Sequence, residues 1–308
     1  MGGSSTVYTI VNKAASIWTA NYPASGDESW SPGDYGIDTD KKVADYWAGK
    51  YGFEPRDGGP PFEISVGLSN SGTGLDKLRK GQVDVGNTSA PVRTELPDIS
   101  DEELKKFKDH VVGVGTSPIV VSRAVYDAGV ETLTAQQAAD VYQGNIENWS
   151  EIDSYDGPER EIQAIGRTPG SATESLFKEH VVGDANAEMS GVDVRKGENQ
   201  QVQTIVSNSN NAIGYLALAF VTDEAPAIGL EVDGTTYRMG ENLSDPGYPL
   251  ARDLHCFTYE GTSNLEAAFI RMLLSDYGQQ EFVEPAGYST LTDERHQEEL
   301  DRLPEPES

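Results

Sequence analysis

Apolar and polar positions along this chain follow two alternating patterns. Short apolar or period-two runs bounded by Gly, Ser and Asp predict strands at 62–68 (FEISVGL), 83–89 (VDVGNTS) and 161–167 (EIQAIGR). Between and after them come stretches with helical spacing: LDKLRKG (75–81), SDEELKKFKDH (100–110), TAQQAADVYQG (134–144) and NQQVQTIVSN (199–208). The clearest amphipathic helix is NLEAAFIRMLLSDYGQQEFV (264–283). Thr134 stands as an N-cap and Gly144 as a stop. NAIGYLALAF (211–220) reads as mixed or extended, and the long apolar run VVGVGTSPIVVSR (111–123) is suited to cross between two domains. Strand-helix alternation of this kind predicts an α/β architecture with mostly parallel sheets.

Length allows two such domains, since 308 residues can bury more than one core. No run of 18 apolar residues exists, so no segment reads as a membrane span. Charge changes the picture most: 51 acidic residues face 23 basic ones, a net charge of −28 spread along the whole chain. Such a surface suits molar salt, and it excludes nucleic acid as a partner. At about 1 M salt the Debye length is roughly 3 Å, so this charge does not repel a small anion from a site lined with donors. The single cysteine, Cys256, excludes an intramolecular disulfide and a cysteine-based zinc site, and its setting in RDLHCFTYE predicts a buried strand position. Residues 23–42, rich in Gly, Ser, Asp and Pro, are expected to form a surface insertion loop; their Asp34, Asp38 and Asp40 lack the spacing of an EF-hand. The acidic tail, 293–308, is expected to fray. Trp18, Trp30, Trp47 and Trp149 are expected in packing roles, and His110 and His180 at helix ends.

Four small-polar stretches carry the candidate chemistry: GSSTVY (3–8), SNSGTG (69–74), DVGNTSAPV (84–92) and GRTPGSAT (166–173). Each lies where a strand-like segment meets a helix-like one. A helix start there exposes free amides, small residues let an anion approach closely, and hydroxyls add directional donors. Arg167 would supply countercharge with a bidentate fork. Any one of these turns alone is more often just an ordinary N-cap; four of them with one arginine read as an oxyanion cradle. A nucleophilic enzyme fits poorly, because PGSAT is not a G-x-S-x-G elbow and the four histidines show no metal-ligand spacing. A receptor that keeps the fold without binding a small ion is the remaining reading.

As a set, these stretches resemble the four phosphate-contacting segments of the phosphate-binding proteins that feed Pst-type ABC transporters. VYQGNIENWSEI (141–152), NAIGYLA (211–217) and SDYGQQEFVEPAGYSTL (275–291) agree, and the resemblance spans essentially the whole chain. The acidic composition is similar to that of a haloarchaeal member. The resemblance implies a type II periplasmic-binding-protein fold, two α/β lobes with a ligand cleft between them: lobe I at 1–116 and 226–308, lobe II at 117–225. It implies capture of inorganic phosphate and delivery to a membrane permease, without enzymatic activity, cofactor or metal. It further implies a monomer on the extracellular face of the cell membrane, lipid-anchored in the full-length precursor, with its signal segment absent here. The phosphate-binding residues carried over are Ser5, Thr6, Val7, Ser71, Ser89, Arg167, Ser171, Ala172 and Thr173. Three positions depart from the family pattern. Ser89 stands where an aspartate usually precedes Ala-Pro, Pro169 where an aspartate often pairs with the arginine, and Ala172 where glycine is usual. They leave sulfate, tungstate, molybdate and arsenate open as alternative anions, beside a sensor or receptor without a transport role.

Overall fold

The computed structural model describes the chain apart from residues 70, 169–171, 185, 246 and 308 and the side chains of Ser5 and Ala172. It divides into two compact units, Met1–Val114 with Arg252–Ser308, and Gly115–Ala251. The first stretch runs β1 (Gly2–Gly3), α1 (Ser5–Ala20), α2 (Val43–Gly49), β2 (Gly67–Leu68), α3 (Ser71–Arg79), β3 (Gly86–Thr88), the single turns α4 (Val92–Glu95) and α5 (Asp101–Leu104), and β4 (Phe107–Thr116). Next come β5 (Ile119–Val121), α6 (Arg123–Tyr126), β6 (Thr132–Thr134), α7 (Ala135–Gln143), β7 (Gln163–Arg167), α8 (Ala172–Phe177), β8 (Val192–Lys196), α9 (Asn199–Asn208), β9 (Ala212–Tyr215), β10 (Gly229–Val232) and β11 (Thr235–Tyr237). The return contributes β12 (Ala251–Tyr259), α10 (Asn264–Leu274), the short α11 (Asp276–Gly278) and α12 (Asp293–Asp301).

The sheet of the first unit has the order β2-β1-β3-β12-β4, with β1 parallel to β2 and β3 and with β12 antiparallel to β3. The predicted strand 62–68 shrinks to Gly67–Leu68, because its partner β1 turns into α1 after Gly3 and offers a ladder of two residues only. Phe62 instead packs on Trp18, whose Nε1 donates to the Phe62 carbonyl at 2.9 Å. α10 follows its sequence signals closely: Ser263 and Glu266 form a capping box, and seven of its apolar residues are buried. The single helix expected over 264–283 breaks at Ser275, which is extended (φ −67°, ψ 161°) and caps the next turn through Gly278 N. Gly278 permits that break, since a Cβ there would lie 2.1 Å from the Met272 carbonyl oxygen.

Two sheets build the second unit, one ordered β5-β9-β7-β8 with β7 parallel to both neighbours, the other β11-β10-β6. Its core centres on Tyr142, Phe177 and Tyr215, the last two stacked at 4.3 Å. Residues 226–251, expected in lobe I, belong here instead: β10 pairs in parallel with β6, so the chain leaves this unit at Ala251. The helix predicted over 100–110 is replaced from Phe107 on by β4, where Phe107 packs edge-on against Phe257 and Tyr259. His110 accordingly lies on a strand, 1% exposed, not at a helix end. Residues 293–308 do not fray as a whole: α12 buries Glu299, Leu303 is 5% exposed, and the Glu307 amide donates to the Lys50 carbonyl. The four tryptophans are buried, between 0 and 4% exposed, and Cys256 is a fully buried strand residue.

Candidate functional site

In the first unit the candidate residues gather at one end of one sheet. β1, β2 and β3 are adjacent and parallel, so the turns that follow them leave from the same carboxyl edge, the usual place for ligand contacts in α/β sheets. Backbone bonds continue to the edge itself, from Ser4 N to Asn87 O (2.8 Å) and from Ser69 N to Gly3 O (2.9 Å). Close approach needs glycine here. A Cβ on Gly3 would sit 2.1 Å from the Asn87 oxygen, and one on Gly74 would meet Gly2 O and Gly3 Cα at 2.6 Å. The small residues thus serve first to bring α3 against β1.

Each loop then presents donors. Ser4 caps α1, its Oγ accepting from Thr6 N at 3.2 Å, and the helical ladder begins with Tyr8 N donating to Ser4 O. The Val7 amide therefore precedes the ladder, while its side chain is fully buried, so Val7 can act only through its backbone. Thr6 is half-buried, and its carbonyl accepts from the Tyr288 hydroxyl at 3.0 Å. Ser71 opens α3 and is 8% exposed. Thr88 folds the third loop by accepting from Ala90 N at 2.8 Å, which presents the half-buried Ser89.

Sequence reasoning missed Tyr288 and Arg252. β12 pairs antiparallel with β3, His255 opposite Thr88, so Arg252 lies beyond the carboxyl end of β3 at the level of the Ser89 loop. It is half-buried, its guanidinium forms no hydrogen bond or ion pair among the described residues, and it interacts electrostatically with Tyr288, while burial lowers its pKa. The GYSTL stretch was visible, but nothing local in the sequence ties Tyr288 to Thr6, 282 positions away.

Arg167 ends β7 in the second unit and is 6% exposed. Its amide donates to the Tyr215 hydroxyl at 3.2 Å, and its guanidinium donates to the carbonyls of Lys196 (3.2 Å) and Gly197 (2.6 Å) and to Asn199 Oδ1 (2.5 Å). All three acceptors of the guanidinium are neutral. Burial lowers the Arg167 pKa, and Tyr215 and Glu198 oppose that shift. The nearby acid Glu174 is buried and bonded to Arg195 at 2.7 Å, and Arg195 also donates to the Arg167 carbonyl. Ala172 is the first residue of α8, where a helical backbone suits alanine, so the strain that a left-handed position would impose does not arise. Thr173 is half-buried in the same turn; Ser171 lies outside the described residues. Hydroxyls, amides and one guanidinium can bind an anion. His110 bonds to Thr262 and burial holds its pKa down at about 4; His255 is held by Asp109. Among the described residues no group of His, Cys, Asp or Glu could hold a metal ion, and no helix is long and apolar enough to cross a membrane.

Residues 39–277 match the family model of the PBP superfamily domain. The chain belongs to that superfamily, and its two α/β units have the type II periplasmic-binding-protein fold. Among sequence relatives, a phosphate-binding protein PstS of Bacillus subtilis is 28% identical over 234 residues, covering 76% of this chain and 73% of the relative. A second, from Staphylococcus epidermidis, is 24% identical over 257 residues, covering 78% and 74%. Among solved structures, PstS from Borrelia burgdorferi superposes with a TM-score of 0.60 at 18% identity, over 94% of this chain and 97% of that one. An ABC-type phosphate transport receptor from Vibrio cholerae gives 0.58 at 20% identity, over 94% and 98%.

Proposed function

We propose that this chain captures inorganic phosphate and hands it to the permease of an ABC transporter on the outer side of the membrane, where a lipid anchor holds it. It does so without turning the ligand over. The observation that carries this reading is the assembly of the 3–8, 69–74 and 84–92 loops on the carboxyl edge of β1–β3, in a chain whose sequence relatives are named for phosphate binding. Arg167, whose guanidinium donates only to neutral acceptors, supplies the countercharge. The proposed binding residues are Ser5, Thr6, Val7, Ser71, Ser89, Arg167, Ser171, Ala172 and Thr173.

A ligand that binds only the folded chain raises its unfolding temperature with concentration. Thermal unfolding of desalted protein in molar potassium chloride should therefore shift upward with added phosphate, while a chromogenic phosphomonoester yields no product. No shift with any oxyanion, or steady turnover of the ester, overturns the reading.

A further inference from the structure

We propose that the site is charged for a doubly ionised oxyanion and that Asn199 is the positioning residue that sets this preference; the inference rests on the oxyanion reading above. Asn199 Oδ1 accepts from Arg167 Nη1 at 2.5 Å and also from the Ala217 amide at 3.2 Å. One neutral oxygen thus fixes the guanidinium and ties the turn after β8 to the turn after β9. Both partners are donors, so the oxygen assignment of the amide is set by its contacts. An aspartate in this place would accept the same two bonds. The choice of Asn over Asp therefore leaves geometry alone and decides whether the arginine arrives neutralised.

The surroundings of Arg167 point the same way. Glu198, on the adjoining turn, is exposed and is the one carboxylate among the described residues that acts on Arg167 through space, where it raises the arginine's pKa without entering its hydrogen bonds. Glu174 on α8 is engaged by Arg195 and by Lys178 (3.7 Å), and Tyr215 on β9 accepts from the Arg167 amide as a neutral phenol. Lys196 on β8 adds positive charge. Considered by itself, the first unit has the same character: its candidate residues are hydroxyls and amides, and Arg252, at the level of the Ser89 loop, has no acidic partner among the described residues. A protonated oxyanion brings a hydroxyl that wants a strong acceptor, and none of the candidate residues is a carboxylate. Each ionisation turns one hydroxyl of the ligand into an acceptor, leaving two hydroxyls on dihydrogen phosphate, one on hydrogen phosphate and none on sulfate. A site with amide and guanidinium donors and no carboxylate therefore favours the more ionised form, the one remaining hydroxyl of the phosphate dianion being left to a serine or threonine oxygen.

The test is the affinity for inorganic phosphate, measured in molar potassium chloride on either side of its second ionisation. Wild type, Asn199→Asp and Asn199→Ala are compared, with thermal unfolding as the check on folding. The wild type should bind more tightly as the dianion becomes the main species. Asn199→Asp should lose dianion affinity relative to monoanion affinity by about tenfold or more, flattening or reversing the profile. Asn199→Ala should weaken binding at every pH but keep the wild-type slope, since it loses positioning and not charge. An Asn199→Asp profile parallel to wild type, or a wild-type affinity that falls as pH rises, overturns the charge assignment and leaves phosphate binding intact. Wild type that takes up no phosphate at any pH overturns both. Should the aspartate variant fail to fold, the wild-type slope alone still decides.

Discussion

Arg167 is 6% exposed and its guanidinium donates only to carbonyl and amide oxygens, which leaves its charge unpaired for the anion in the proposed site. In that site, removing it would leave the anion desolvated without a countercharge, a loss of about 3–5 kcal/mol for buried pairs, or roughly two to three and a half decades in affinity. Arg167→Ala should accordingly lose phosphate binding by at least about a hundredfold while still folding, and near-normal affinity would remove Arg167 from the site. Gly74→Ala tests the packing side of the same residues. Its Cβ would press on Gly2 O and Gly3 Cα at 2.6 Å, so the variant should unfold at lower urea with a loss of about 1–3 kcal/mol. A wild-type midpoint would show that α3 moves away freely. Arg167, Ser71 and the glycines could be named as candidates from the sequence because their signal is local: small residues and hydroxyls between a strand and a helix. Asn199, Tyr288 and Arg252 were not, because each matters through a partner or register set by a distant strand or turn.

Elements with strong local signals came through with their ends intact. α7 begins at the Thr134 cap, reinforced by Gln137, and stops at Gly144 in a left-handed conformation (φ 80°). Elements governed by tertiary pairing did not: the acid-rich 100–110 stretch has helical spacing, yet burial of Phe107 and the ladder of β4 win from that residue onward. The tail misled for the opposite reason, since composition alone hides that α12 docks through Glu299 and that Leu303 follows it into the core. That docking carries a pH dependence. Burial pushes the Glu299 carboxyl up to about 7, opposed by Arg302 at 2.6 Å and by the Val111 amide, with Asp109 raising it and Arg295 lowering it. Its proton is held more tightly in the folded chain than in the unfolded one, so this contribution is full below the ordinary carboxylate range and fades as pH rises through about 7. Glu299→Gln should match wild type near about pH 4 and exceed it near about pH 8 by on the order of 1–3 kcal/mol in urea unfolding. Parallel pH profiles for the two proteins would contradict this.

For the whole molecule, the alternation of strands and helices was enough to indicate α/β architecture and two units, but not where the second crossing falls. Residues 226–251 contain apolar runs that suit either unit, and only the pairing of β10 with β6 assigns them. Charge acts at this scale as well. A net −28 at low ionic strength opposes both compactness and anion approach, whereas molar salt shortens the Debye length to roughly 3 Å and leaves local donors in control. Capture of an oxyanion by such a chain is therefore best measured by calorimetric titration of desalted protein with phosphate in molar potassium chloride, repeated with sulfate present. The account predicts saturable binding at one site per chain, with sulfate competing because no carboxylate is among the candidate residues to demand a proton from the ligand. Silence from phosphate and sulfate alike would contradict it.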